Sequence, residues 1–369
     1  MGGHMATTTS IQRAAQVGFG YQQLLPLVEA ALRADVPVLL RGHPGVGKSA
    51  LASEIAQRLG LPILDLRLAQ KDPAELAGIY APNADRTALQ LLPPDWALEL
   101  SQRPMLLFLD EINAAVTKLH QAAAYQMVLE RRVGPLHFHP QTRVLAAGNL
   151  DEDRALAVPL SSALLNRFVH FRMRVDPTDW LLWAEQQGLH AGIRAYIASF
   201  GGRAMAILYK NTGEDAFATP RSWTMAARLL AQAPTKLAPQ LLCACVGPVA
   251  TEQFVEWQRV ASKADPRAIL DGAKLPELQS GPLAEPSLKL AMLYAVGDLL
   301  ARQEKLPPKW LERTVALLQA PGMDAEHAVL LLRRLPRAVR LQLEKTKSFA
   351  PLAARLVDVQ LQALEAADA

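Results

Sequence analysis

The sequence predicts an α/β domain built on a parallel sheet, followed by a region of helices alone. Three observations carry this. Five short apolar runs, Val36–Leu40, Pro62–Leu66, Met105–Leu109, Arg143–Ala147 and Phe168–Phe171, alternate with helical patterns. Near-continuous apolarity, rather than alternation, marks strands buried on both faces, as parallel sheets require. A glycine-rich turn follows the first run, and beyond Asp176-Pro177 only helical spacing remains.

With 369 residues, half of them hydrophobic and 20% charged, the chain can bury two or three cores. The opening Met-Gly-Gly-His-Met reads as a cloning remnant at residues 1–5, and no basic-then-apolar secretory signal follows it. A helix over Gln22–Ala34 leads into the first strand. The layered core is expected over 6–176. Two segments interrupt it: Asp72–Trp96, which reads as a hairpin inserted beside a helix, and Arg131–Val144, a second hairpin entering the fourth strand.

Helices Asp179–Gln187, Ile193–Phe200, Ser222–Gln232 and Gln240–Ala264 make an all-α unit over 177–264. Thr219 is placed as N-cap and Pro220 in the first turn of one of them. A Pro- and Gly-rich linker over 265–286 precedes a helical C-terminal region over 287–369, where Leu330–Leu332, Leu341, Leu343 and Leu352 suit amphipathic helices that pack on the chain's own core or bind a partner. Cys243 and Cys245, the two cysteines, fall in an apolar helical stretch and are expected as buried thiols of a reducing, cytoplasmic compartment.

The chemistry concentrates in the glycine-rich turn. Gly42, His43, Pro44, Gly45, Val46, Gly47, Lys48, Ser49 and Ala50 form a G-x-x-x-x-G-K-S run between a strand and a helix whose Leu51, Ile55 and Leu59 recur at helical spacing. Backbone N–H groups and the positive helix end suit a phosphate. Lys48 is expected on the β- and γ-phosphates, and Ser49 on Mg²⁺. The chain is therefore expected to bind a nucleoside triphosphate.

Met105–Leu109 ends in Asp110-Glu111, at the carboxyl end of a strand beside that turn. Asp110 is expected in the Mg²⁺ shell, and Glu111 as general base toward the attacking water. An Asp-Glu pair argues for hydrolysis over transfer to an acceptor. Asn149 ends the run Val144–Gly148, either toward the γ-phosphate and lytic water or as a turn residue. His137 and His139 share one side of a strand, which suits a metal pair or ordinary hairpin residues. No Ser-His-Asp, Cys-His or paired-carboxylate layout suggests a second catalytic centre.

The order Gly42–Ser49, Asp110-Glu111-Ile112-Asn113, Ala147-Gly148-Asn149 and Leu164-Leu165-Asn166-Arg167-Phe168 resembles the AAA+ superfamily, in particular its MoxR-type branch, related to the CbbQ/NorQ and magnesium-chelatase ATPases. The resemblance spans roughly residues 20–265. It implies a P-loop αβα core with a five-stranded parallel sheet, an all-α lid, ATP and Mg²⁺ as cofactors, and ATP hydrolysis in a ring, usually a homo-hexamer. By resemblance Asn149 takes the sensor-1 position, Arg167 the arginine finger delivered to a neighbouring subunit, and Arg221 the sensor-2 position. Arg172 and Arg174 compete for the finger. The resemblance also implies a client protein and a partner with a von Willebrand factor A domain, with the two hairpins facing a pore or the client.

A net charge of +4 raises nucleic acid as a partner, and with it a McrB-like motor. Against this, aromatics are only 6% and do not interleave with the basic residues, which suit solvated helix faces. A nucleotide-dependent assembly scaffold with slow turnover is the third reading. No apolar run reaches the length of a membrane span.

Overall fold

The computed structural model describes residues 18–114, 117–150, 159–205, 215–261, 265–280, 284–301, 303 and 306–356. Residues 1–5, which the sequence suggested as a cloning remnant, lie outside the described residues. Two compact units divide at Asp179 and Trp180.

In the first unit, helix α1 (Tyr21–Arg33) precedes strand β1 (Val38–Arg41), and helix α2 (Lys48–Leu59) follows it. Strand β2 spans Ile63–Arg67. A short helix, Pro73–Ala77, then leads to the hairpin β3 (Ile79–Pro82) and β4 (Leu89–Leu92). Strand β5 (Leu106–Asp110) comes next, then a two-residue-per-arm hairpin of β6 (Arg132–Val133) and β7 (Leu136–His137). Strands β8 (Arg143–Gly148) and β9 (Val169–Arg172) complete the set.

Five of these strands form one parallel sheet in the order β2-β5-β8-β1-β9. The crossovers β2 to β5 and β5 to β8 join neighbours, whereas β1 to β2 and β8 to β9 pass over other strands, all through intervening chain as parallel connections demand. Leu39, Leu107, Leu109, Val144 and Ala146 are buried and share a core cluster with Leu164 and Phe168. Burial on both faces holds for β5 and β8, while β2 and β9 are edge strands with exposed residues at Ile63, Asp65, Val169 and His170. Apolarity in those two runs therefore overstated their burial, because an edge strand has a neighbour on one side only.

The inserted hairpins meet each other. Gly134 turns between β6 and β7 with φ +54°, and a Cβ there would lie 2.0 Å from Leu91 Cδ2 of β4. Glycine takes that backbone without strain and leaves the Leu91 side chain in place. The β3–β4 hairpin leaves Ile79, Tyr80, Leu89 and Leu92 exposed. His139 lies beyond β7, its N–H donating to Leu100 O, and among the described residues no three His, Cys, Asp or Glu side chains group as a metal site.

The second unit is helical. Tyr196, Trp223, Phe254 and Trp257 interlock with ring centroids 5.3–6.0 Å apart, in tilted and edge-on arrangements that suit the aromatic quadrupole. Thr219 caps helix Pro220–Gln232: its Oγ1 accepts from Ser222 N at 3.0 Å, and Ser222 Oγ accepts from Thr219 N at 2.7 Å. The helical stretch expected over 240–264 is two helices, Ala238–Val246 and Pro248–Ala261, broken at Gly247. Helix Ala238–Val246 buries Leu242 and Val246, four residues apart, which turns Cys243 outward. Cys243 is exposed and Cys245 partly exposed, so the expectation of two buried thiols is corrected. Toward the C-terminus Leu331, Leu343 and Leu352 are buried, whereas Leu341 is exposed. Among the described residues no helix is long and apolar enough to cross a membrane.

Two outcomes follow from this packing. Trp223 is fully buried, so Trp223→Ala should destabilise the protein by about 3–5 kcal/mol in urea unfolding. A thiol reagent should modify Cys243 before Cys245, whose pKa is raised by burial, as read by peptide mass spectrometry.

Candidate nucleotide-binding site

β1, β8 and β5 are adjacent, and their carboxyl ends bring three sequence segments to one edge of the sheet. From β1 the chain enters the turn Gly42–Gly47. Gly42 has no room for a side chain, since a Cβ would meet Met173 O at 2.7 Å. Met173 N donates to Arg41 O at 2.6 Å, which fixes β9 against the start of the turn. Gly45 and Gly47 adopt φ +76° and +108°, the left-handed region that glycine enters without penalty. These conformations wrap the turn before α2 begins at Lys48. No side chain caps that helix, and no acid occupies its first turn. The helix's own first turn therefore offers no acid to offset its N-terminal partial charge, an arrangement that favours an incoming anion.

Tyr21 packs on this turn, its ring 3.9 Å from where a Gly47 Cβ would sit. Its hydroxyl donates to Glu54 Oε2 of α2 at 2.9 Å. Burial, and then that hydrogen bond, raises the phenol pKa well above the usual tyrosine value, so it stays a neutral donor.

Lys48 Nζ donates to Gly42 O at 2.6 Å, to His43 O at 3.1 Å and to Asn149 Oδ1 at 3.1 Å. The ammonium thus spans the turn and the end of β8. Ser49 Oγ donates to Asp110 Oδ2 at 3.0 Å, and Asp110 Oδ1 accepts from Glu111 N at 2.9 Å. Asp110 is 7% exposed, whereas the Glu111 side chain is exposed. Ser49 Oγ and Asp110 Oδ2 are neighbouring hard oxygen donors, a chemistry that fits Mg²⁺.

Glu111 has φ +53°, uncommon for a residue with a side chain. The turn that holds it is tied down: Ala114 N donates to Glu111 O at 2.8 Å and Ile112 N to Ala147 O at 2.9 Å. Strained backbone of this sort persists only where its surroundings over-determine it.

Of the residues expected from sequence, the fold brings Lys48, Ser49, Asp110 and Asn149 into direct hydrogen-bonded contact, with Glu111 adjoining Asp110. Arg167 stands apart from that network. It is exposed, ahead of β9, with Nη2 donating to Tyr125 Oη at 3.4 Å and its guanidinium carbon 6.0 Å from the Tyr125 ring centroid. The competing Arg174 forms an ion pair with Asp176 at 3.0 Å, and Arg172 is exposed on β9. Arg221 is exposed in the first turn of helix Pro220–Gln232, in the second unit. Sequence reasoning gave no role to Asn113, a buried residue bonded to the backbone of Asn149. Its signal was the Asp-Glu-Ile-Asn motif itself, read only as a family marker.

Residues 38–173 match the family model described as "ATPase family associated with various cellular activities (AAA)". The chain is 34% identical over 149 residues to the mouse (Mus musculus) ATPase family gene 2 protein homolog B, covering 40% of this chain and 17% of that protein. It is 37% identical over 91 residues to midasin of Giardia intestinalis, covering 24% of this chain and 2% of that protein. The chain thus spans under a fifth of the length of either relative. A solved RuvB variant of Thermotoga maritima shares 14% identity across 89% of this chain and 91% of its own, with a TM-score of 0.33. The match runs from β1 to the residue after β9, so residues 38–173 are the part of this chain that is similar to the AAA ATPase family.

Proposed function

We propose that this chain is a MoxR-type AAA+ ATPase that binds ATP with Mg²⁺ and hydrolyses it in an oligomeric ring, a homo-hexamer, to remodel or activate a client protein. The observation that carries the reading is the linked set Lys48–Asn149 and Ser49–Asp110–Glu111 around an uncapped helix N-terminus. The Asp-Glu-Ile-Asn and Asn-Arg-Phe sequences support the MoxR branch, and through it a partner with a von Willebrand factor A domain. On this reading 6–176 is the nucleotide-binding core, 177–264 the lid, 265–286 a linker and 287–369 a helical extension.

Each residue then has a physical task. The turn Gly42–Gly47 and the α2 N-terminus surround the phosphates, and Lys48 exchanges its carbonyl partners for phosphate oxygens. Ser49 and Asp110 hold Mg²⁺, which when bound neutralises charge on the β- and γ-phosphates. Glu111, exposed beside Asp110, takes the proton of the attacking water. Asn149 orients that water or the γ-phosphate. Arg167 serves a neighbouring subunit, where a cation stabilises charge spread over the transferring phosphoryl group. Arg221 contacts nucleotide from the lid.

Lys48→Ala should lose ATP affinity, measured by isothermal titration. Glu111→Gln should bind ATP as the wild type does while turnover falls about 10²–10⁴-fold, the usual worth of a general base. Light scattering of Glu111→Gln with ATP and Mg²⁺ should give a hexamer-sized particle; one that stays monomeric at saturating ATP overturns the ring. Arg167→Ala should bind ATP but not hydrolyse it, and mixing it with Glu111→Gln should restore part of the activity at mixed interfaces. Absence of rescue would remove Arg167 from a role in trans.

A further inference from the structure

Past the last rung of the β5–β8 ladder, Leu109 opposite Ala146, the two strands remain joined by something other than strand pairing. Ile112 N donates to Ala147 O at 2.9 Å. One residue on, the side chain of Asn113 completes the join. Its Nδ2 donates to Asn149 O at 2.9 Å, and its Oδ1 accepts from Asn149 N at 3.0 Å. The amide presents one donor and one acceptor in a plane, as a backbone peptide would, so it serves Asn149 as a residue of a neighbouring strand would. Asn113 is only 4% exposed, so these bonds compete little with water.

The fit is tight on the other side as well. A Cβ on Gly148 would lie 2.8 Å from Asn113 Oδ1 and 3.2 Å from its Cγ. Gly148 has no positive φ, so conformational freedom does not explain the glycine; the seated amide does. The consequence is a division of labour in Asn149. Its backbone is gripped by Asn113, and its side-chain Oδ1 faces the Lys48 ammonium at 3.1 Å. Asn113 belongs to the same short turn as Asp110 and the strained Glu111, whose carbonyl accepts from Ala114 N at 2.8 Å.

We propose that Asn113 is a positioning residue for hydrolysis: it fixes Asn149 in register with Glu111, so that the two groups acting on the water approach it as one rigid unit. The proposal rests on the ATPase reading above. Asn113 acts through Asn149 and the Glu111 turn, and not on the nucleotide. Its removal therefore alters turnover and spares binding. A misplacement of this size is the kind that costs about 10- to 100-fold in rate.

The test compares the wild-type chain with Asn113→Ala, Asn113→Asp, Gly148→Ala, Asn149→Ala and the double variant Asn113→Ala/Asn149→Ala, measuring ATP affinity, single-turnover hydrolysis and thermal melting. Asn113→Asp keeps the acceptor for Asn149 N but sets a carboxylate oxygen against Asn149 O. Gly148→Ala displaces the amide without changing Asn113. Asn113→Ala, Asn113→Asp and Gly148→Ala should each lower the hydrolysis rate about 10- to 100-fold with ATP affinity held within about threefold. The double variant should be no slower than Asn149→Ala, because a residue that acts through Asn149 has nothing left to position. Should either Asn113 variant fail to fold, Gly148→Ala still reads the contact from the opposite side. Wild-type rates in the folded variants overturn the proposal, as do parallel losses of affinity and rate or multiplicative effects in the double variant. A wild-type chain that binds ATP and never hydrolyses it overturns the ATPase reading first, and the positioning role with it.

Discussion

Every group of the candidate site depends on three parallel strands, β1, β8 and β5, lying side by side and ending at one edge. Parallel pairing sends their carboxyl ends the same way, and burial of Leu39, Leu107, Leu109, Val144 and Ala146 prevents the register from slipping. A slip of one residue would turn each of these side chains to the opposite face. It would also part Lys48 from Asn149 and Ser49 from Asp110. The hydrophobic core is therefore what sets the polar geometry above it.

The polar layer in turn is joined by short bonds between elements distant in sequence. Lys48 and Asn149 are 101 positions apart, Ser49 and Asp110 61, and Asn113 and Asn149 36. The first and last cross junctions between neighbouring strands, and Ser49–Asp110 reaches from the start of α2, after β1, to β5 past the intervening β8, so the end of the sheet behaves as one connected surface. Steric limits enforce the same arrangement. Gly42 is crowded by Met173 O and Gly148 by the Asn113 amide, which excludes side chains where the strand ends must approach most closely. Glu111 adds a strained backbone, held by bonds on both sides of the turn.

Away from this edge the molecule spends its apolar residues differently. The β3–β4 hairpin leaves Ile79, Tyr80, Leu89 and Leu92 exposed while committing Leu91 to the Gly134 turn. The two inserts thus share a steric contact. In the second unit the aromatic cluster around Trp223 contributes to the core, with Trp223 Nε1 donating to Ala204 O at 2.8 Å so that this buried donor is paired.

The sequence by itself determined the strand–turn–helix of the glycine-rich run, the acids at the end of β5 and the parallel α/β class. These are local: five apolar runs, fixed glycine spacing and helical periodicity need no knowledge of distant partners. Thr219 as a cap and Pro220 in the first turn were legible for the same reason. Only the tertiary structure decided which strands lie at the edges, that Cys243 faces outward, that Leu91 seats on Gly134, and that Asn113 grips Asn149. Each of those depends on which residues meet across the sheet or between elements. Periodicity reports how apolar a residue's own neighbourhood is, and carries no record of what the fold sets opposite it.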